Sequence, residues 1–163
     1  MIPVIRMGNI QNGKIDWSDL VYTSNNEEIE KYSLRKDDIL FNRTNSPELV
    51  GKVGIYRGER PAIFAGYLIR INYKKDMILP TYLVHVLNSK QIREHGFSIM
   101  SKSVNQANIN GTLLKSYRIP IPPIEEQHEI VSRIEAFEKD IDKAQVIIDK
   151  APDQKAAILK KYL

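Results

Sequence analysis

The sequence predicts an α+β fold, in which a strand-rich mixed α/β globular domain precedes a long α-helix of the coiled-coil type. Three observations predict it. Apolar runs up to about Pro120 are short and separated by turn residues, a proline pair follows, and apolar residues then recur at helical spacing. We therefore place the globular domain at residues 1–120 and a helical region at residues 121–163, a length that suits one domain with an appendage.

Apolar runs of two to five residues in the first region predict strands, because turn signals such as Asn12-Gly13 separate them. A helix is expected from Pro80 to Glu94, since proline is tolerated in a first turn and the apolar residues there share one face. A second short helix is expected from Asn108 to Lys115. The predicted strands are Val4-Ile5, Ile39–Phe41, Val53–Tyr56 and Tyr67–Ile71.

The most regular pattern of the chain follows Pro122-Pro123. Apolar residues alternate at spacings of four and three over about three heptads, which is the pattern of a coiled-coil seam. Charged residues on both flanks keep the stripe narrow, and this favours pairing with another helix over burial in a core. The predicted seam consists of Ile130, Ile134, Phe137, Ile141, Ala144 and Ile148.

The predicted helix runs from about residue 123 to about residue 151 and then meets Pro152. A proline lacks the N–H of a helical hydrogen bond and disfavours the helical conformation of the residue before it. Two interpretations stay open at this point. Either a kinked helix continues, since Ile158 and Tyr162 keep the phase, or the chain turns and a second short helix begins.

Charge divides the chain at the same place. Residues 1–119 carry 17 Lys and Arg against 11 Asp and Glu, a net charge of +6, whereas residues 120–163 carry 7 against 9, a net charge of −2. The basic part suits a polyanion such as DNA, although this charge is also ordinary for a globular domain. The chain has no cysteine and no apolar run long enough to span a membrane, so we expect a cytoplasmic protein.

A search for catalytic motifs gives a negative result. The three histidines, His85, His95 and His128, lack the spacing of metal ligands. The sequence also has no phosphate-binding glycine loop and no nucleophile elbow. We therefore expect a protein that is not an enzyme and that binds no metal and no cofactor.

Two polar segments carry side chains that can read DNA bases or bind phosphates. One follows the strand Ile39–Phe41 and the other lies at Ser101–Gln106, and Arg43 and Lys52 are the strongest candidates for DNA contacts. Two alternatives stay open: both segments are ordinary polar surface loops, or Arg43 or Asp38 is structural and ties the strand end to the loop. The weaker candidates for DNA contacts are Asn42, Thr44, Asn45, Lys102, Asn105 and Gln106.

Taken together, these segments resemble half of a type I restriction–modification specificity subunit. The most specific match is Ile119–Val131, which resembles the start of the conserved spacer helix of that family. One departure is Lys36-Asp37-Asp38, where the family has Gly-Asp. The matching segments are Ile5–Ile10 with Gly13 following, Leu34–Arg43, Asn45-Ser46, Leu49–Lys52, Pro80–Leu83, Asn108–Asn110 and Ile119–Val131.

The resemblance implies a division of labour. Each recognition domain of the family reads one half of a split double-stranded DNA target, and antiparallel spacer helices fix the distance between the halves. The subunit docks methyltransferase and restriction subunits, which carry out methyl transfer from S-adenosylmethionine and ATP-driven cleavage. This chain has one domain and one helix, so we expect a second copy to pair with it as an antiparallel homodimer. The alternatives are a protein-interaction adaptor that uses only the coiled coil and a small DNA-modifying enzyme.

Overall fold

Small sheets and short helices enclose two apolar clusters, and one much longer helix leaves them. The computed structural model describes residues 1–103 and 106–162. Within these residues the strands are β1 (Ile2–Ile5), β2 (Ile10–Gln11), β3 (Gly13–Ile15), β4 (Val21–Thr23), β5 (Ile39–Phe41), β6 (Thr44–Asn45), β7 (Val53–Ile55), β8 (Ile63–Phe64), β9 (Ile69–Ile71), β10 (Ser101–Ser103) and β11 (Gln106–Asn108). The helices are α1 (Asn26–Tyr32), α2 (Pro80–Asn88), α3 (Lys90–Ile99), α4 (Gly111–Lys115) and α5 (Ile124–Leu159). The fold is of the α+β class that the sequence predicts.

Strand β5 lies between the two apolar clusters. It pairs antiparallel with β7 and β9 in a sheet of order β2-β3-β7-β5-β9, while β1 joins β4 and β8 in a second sheet. Alternate side chains of a strand point to opposite faces. Ile39 and Phe41 therefore join one apolar cluster and Leu40 joins the other. All three are fully buried, and each stabilises the fold by on the order of 1.5–3 kcal/mol.

The four predicted strands are present, but the helix predicted from Pro80 to Glu94 is two helices. They meet at Ser89, whose backbone is extended (φ −62°, ψ 152°). The side chain of the preceding residue, Asn88, accepts a hydrogen bond from the N–H of Val53 (3.1 Å) and donates one to the carbonyl oxygen of Val53 (3.1 Å). This contact fixes the end of α2 on β7, and such a tertiary contact outweighs local helix propensity.

Helix α5 continues through Pro152 to Leu159, so the chain does not turn into a second helix at this proline, and the helix extends beyond the predicted end at about residue 151. Its 36 residues correspond to a rod of about 54 Å. The start of the rod lies against α2, where Ile130 and Val131 pack on the first apolar cluster.

Most of the predicted seam on α5 faces solvent. Phe137, Ile141 and Ile148 are 69%, 65% and 61% exposed, while Ile134 is half-buried. An apolar stripe of this length on a single helix is typical of a surface that binds another protein chain. In the part of the chain that the structure describes, no helix combines the length and the apolar character needed to cross a bilayer.

Candidate nucleic-acid interface

Two polar segments that are distant in sequence meet in one small sheet. Strand β11 pairs antiparallel with β10 on one side and with β6 on the other. The register sets Asn108 opposite Thr44 and Ser101, and Gln106 opposite Ser103. Both segments were expected to be loops; in the described residues they contribute β6, β10 and the start of β11, which are neighbours in one sheet.

The two faces of this sheet differ in chemistry. Residues directly opposite each other in antiparallel strands share a face. On one face Ala107 lies opposite Asn45 and Lys102. Ala107 is 1% exposed and belongs to the same apolar cluster as Phe41. The other face bears only hydroxyl and amide side chains, and the Asn108 amide donates a hydrogen bond to the Thr44 hydroxyl. We call this surface the polar face; it consists of Thr44, Ser101, Ser103, Gln106 and Asn108.

A positive charge lies on the edge strand β10 of this sheet, on the face opposite the polar face. The Lys102 Nζ atom lies 4.1 Å from the centroid of the Phe97 ring, and Phe97 is itself 52% exposed. A cation over an aromatic ring is attracted by the electron-rich face of the ring. The ring therefore holds the Lys102 ammonium at the sheet edge, where it can meet a phosphate.

The segment between β5 and β7 carries Arg43 and contains β6, and backbone hydrogen bonds close it at its base. The backbone N–H of Asn42 donates to the Lys52 carbonyl oxygen (2.9 Å), and the N–H of Gly51 donates to the Asn42 carbonyl oxygen (2.7 Å). The Asn42 side chain is 1% exposed and donates to the carbonyl oxygen of Leu49 (3.2 Å). A buried side chain cannot reach DNA, so the structure argues against the expected contact by Asn42 and gives it a role in supporting the loop.

Arg93 of α3 holds the same loop from outside. Its guanidinium donates hydrogen bonds to the main-chain carbonyl oxygens of Glu48 (2.7 Å) and Val50. Burial lowers the pKa of the Arg93 guanidinium, which stays protonated at neutral pH. Sequence reasoning missed Arg93, because a helical pattern does not distinguish an arginine that binds carbonyl groups from one that faces water.

Replacing Arg93 with methionine is expected to lower the free energy of unfolding by about 1.5–3 kcal/mol, the contribution typical of hydrogen bonds to a charged group. Urea denaturation would measure it. Lys90→Met on the same helix is the matched control. Its exposed pair with Glu94 at 3.8 Å contributes less than about 1 kcal/mol. Equal losses in the two variants would show that Arg93 does not hold the loop.

The remaining predicted DNA contacts fall into different places. Arg43 is half-buried and takes part in none of the ion pairs formed between described residues. Asp38 pairs with Arg70 of β9 at 3.2 Å, which is a contact to a neighbouring strand and not to the loop that carries Arg43. The side-chain oxygen of Asn45 accepts from the N–H of Ser46 (2.8 Å). Asn105 lies outside the described residues.

Lys52 is not part of the polar face. It lines a cleft of about 870 Å³ between the domain and α5, to which no residue of the polar face contributes. Lys14 and Arg57 belong to the same wall, and three carboxylates of α5 line the other wall. Lys139 of α5 also lines this cleft, so basic and acidic side chains are mixed there, and the DNA contact by Lys52 stays a prediction. The three acidic residues are Glu135, Glu138 and Asp142.

The comparisons with known proteins agree with this architecture. The sequence profile of the family described as the type I restriction modification DNA specificity domain matches residues 1–149. The chain belongs to this family, and the resemblance seen in the sequence is confirmed.

Individual relatives are specificity subunits of type I restriction enzymes. The chain is 35% identical over 162 residues to the putative MjaX specificity subunit of Methanocaldococcus jannaschii. The aligned region covers 98% of this chain and 38% of that protein. It is 31% identical over 137 residues to the EcoKI specificity subunit of Escherichia coli, and this aligned region covers 82% of this chain and 29% of that protein. The chain thus spans well under half the length of these relatives. Specificity subunits are the non-catalytic subunits of their systems.

Solved structures show the same fold. The HsdS subunit from Thermoanaerobacter tengcongensis superposes with a TM-score of 0.65 at 17% identity, over 88% of this chain and 37% of that one. A second chain superposes with a TM-score of 0.66 at 19% identity, over 92% of this chain and 39% of that one. It comes from a structural study of complex assembly and conformational transition of the type I R-M system.

Proposed function

We propose that residues 1–120 form a DNA-recognition domain that reads one half of a split target, and that residues 121–163 form a spacer that joins two such domains. The observation that carries this proposal is the sheet of β6, β11 and β10, which gathers two distant segments into one surface made only of hydrogen-bonding side chains. Membership of the DNA specificity domain family supports it.

The chemistry of the polar face suits bases better than phosphates. The major groove admits a two-stranded antiparallel ribbon such as the pair β10–β11 of this three-stranded sheet. In that groove Asn and Gln side chains bind adenine with two hydrogen bonds, and Ser and Thr bind any base edge. Gln106 and Asn108 are therefore the proposed base readers, with Thr44, Ser101 and Ser103 beside them. Arg43 and Lys102 are the proposed phosphate contacts, which position the domain without reading sequence.

Replacing Gln106 with alanine is expected to lower the affinity for a duplex enriched by this chain by about 1–3 kcal/mol, with little change on a random duplex. The reason is that a base reader contributes only where its base is present. Fluorescence anisotropy on both duplexes would measure the two affinities. Equal losses on the enriched and random duplexes would contradict a base-reading role for Gln106.

Replacing Lys102 with alanine is expected to weaken binding to every duplex and to reduce the slope of log K against log salt concentration by about one. Lys31→Ala is the matched control, because Lys31 also lies over an aromatic ring, that of Tyr32, but belongs to α1, which packs on β8 of another sheet. An unchanged salt slope in Lys102→Ala would remove Lys102 from the interface.

The exposed seam of α5 supports the second half of the proposal. A second copy of the chain pairs with it antiparallel, and this places two identical domains at opposite ends of a rod. Such a two-fold assembly recognises two inverted half-targets. Methyltransferase and restriction subunits dock on this assembly and carry out methyl transfer and cleavage, and the chain itself acts without catalysis or cofactor. An adaptor that acts through α5 alone would instead bind no duplex specifically.

A further inference from the structure

The attachment of α5 to the domain is centred on one buried amide. Gln127 is 0% exposed, although glutamine is a residue that normally lies at the surface. Its Oε1 atom accepts from the N–H of Leu79 (2.9 Å), and its Nε2 atom donates to the carbonyl oxygens of Met77 (2.9 Å) and Pro122 (2.8 Å). Both amide hydrogens and the amide oxygen are thus used.

These bonds join three separate parts of the chain. Met77 and Leu79 immediately precede α2, Pro122 lies in the link from the domain, and Gln127 lies in the first turn of α5. Tyr82 of α2 adds a bond from its hydroxyl to the carbonyl oxygen of Pro120 (3.1 Å). Hydrogen bonds constrain direction as well as distance, so this cluster fixes the angle at which the helix leaves the domain.

That angle matters for the function proposed above, on which this inference rests. A domain of about 120 residues has a radius of gyration of about 13–14 Å, so part of its surface lies about 20 Å from the attachment. A rotation of the domain by about 10° moves such a surface by about 3.5 Å, which is close to the 3.4 Å between successive base pairs. Small angular freedom at the attachment therefore changes the spacing at which two domains can bind together.

We propose that Gln127 is a positioning residue that sets the number of base pairs between the two half-targets. It contacts no DNA in this account, and it acts through the direction of α5. Apolar packing of Ile130 and Val131 keeps the helix on the domain, while the Gln127 bonds determine its angle.

The test uses the whole chain and a set of duplexes in which the two half-targets are separated by the preferred spacing, or by one or two base pairs more or fewer. Wild type is expected to lose at least about tenfold in affinity at the altered spacings, the usual effect of misplaced base contacts. Gln127→Met keeps the length of the side chain and removes its hydrogen bonds. The affinities of this variant for all these duplexes are expected to lie within about threefold of one another, and its affinity for a single half-target is expected to be unchanged.

Asn88→Leu is the matched control. It also removes the hydrogen bonds of an amide, but these join α2 to β7 inside the domain, so the variant loses stability and keeps the wild-type spacing preference. Tyr82→Phe removes only the peripheral bond of the attachment and is expected to broaden the preference partly, which preserves the test if Gln127→Met does not fold.

The outcomes separate the two proposals. A wild-type spacing preference that persists in Gln127→Met, or in Tyr82→Phe where the first variant does not fold, overturns the role of Gln127 and leaves the proposed function intact. Equal broadening by Asn88→Leu overturns it as well, because general loosening would then explain the effect. If the wild-type chain binds specifically but shows no spacing preference, the proposal that two paired domains read two half-targets is contradicted. The proposed role of Gln127 is then overturned as well.

Discussion

Replacing Ile141 and Ile148 together with aspartate is expected to convert a paired chain into a monomer. Both side chains belong to the predicted seam, and they are 65% and 61% exposed in the single chain, so the domain fold does not depend on them. In a paired helix each would be buried against the partner, where an unpaired carboxylate is strongly disfavoured. Sedimentation velocity at tens of micromolar would give the mass directly.

Val146→Asp is the matched control for this loss of pairing. Val146 is also an exposed apolar residue of α5, at 50%, but at about 100° per residue it lies about 160° around the helix from Ile130. This variant should remain paired. A wild-type chain that sediments as a monomer would refute the homodimer, and the seam would then belong to another protein partner.

Replacing Phe41 with alanine is expected to lower the free energy of unfolding by about 3–5 kcal/mol. Phe41 is fully buried at the end of β5, and its ring packs edge-on against Tyr117 with 6.3 Å between the centroids. A loss of this size is a large part of the 5–15 kcal/mol that stabilises an ordinary domain. Thermal or urea unfolding, followed by far-ultraviolet circular dichroism, would measure it.

The matched substitution for Phe41→Ala is Phe97→Ala. Phe97 has the same side chain, but it is 52% exposed on α3, so its removal leaves no cavity and should cost much less stability. Comparable losses in the two variants would contradict the placement of β5 between the two apolar clusters.

The sequence predicted the structure best where a single helix or strand by itself determines the spacing of its apolar residues. The apolar residues of β5 were identified correctly, because a buried strand imposes a spacing on the chain. The apolar stripe predicted after Pro123 lies on one long helix, and its pairing with a second helix stays a prediction. The short helix expected from Asn108 to Lys115 is present but begins at Gly111, because Asn108 belongs to β11. Asn110 caps it and accepts a hydrogen bond from the N–H of Leu113.

Features that depend on distant parts of the chain could not be predicted in this way. The break between α2 and α3 depends on the contact of Asn88 with Val53, which are 35 residues apart. The polar face depends on the pairing of Asn108 with Thr44, which are 64 residues apart. The chemistry of Asn42 and its place after the strand made it a weaker candidate for a DNA contact, whereas in the fold its side chain is buried and bonds to the carbonyl oxygen of Leu49.

The role of Gln127 illustrates the same limit. The segment Ile119–Val131 resembles a family motif, but its sequence alone gives no reason for a glutamine at position 127. The three hydrogen bonds supply that reason, because they require an amide that both donates and accepts. A motif can thus be identified from sequence while its physical cause is visible only in the fold.

The most direct test of the central claim is a selection of duplexes from a random pool by the purified wild-type chain, followed by sequencing of the bound fraction. Specific reading by two paired domains predicts one short motif that occurs twice, as an inverted repeat with a fixed number of unselected base pairs between the copies. Binding should also weaken steeply with salt. A bound fraction without any enriched motif, at low and moderate salt alike, would contradict the account and leave a protein that acts through α5 alone.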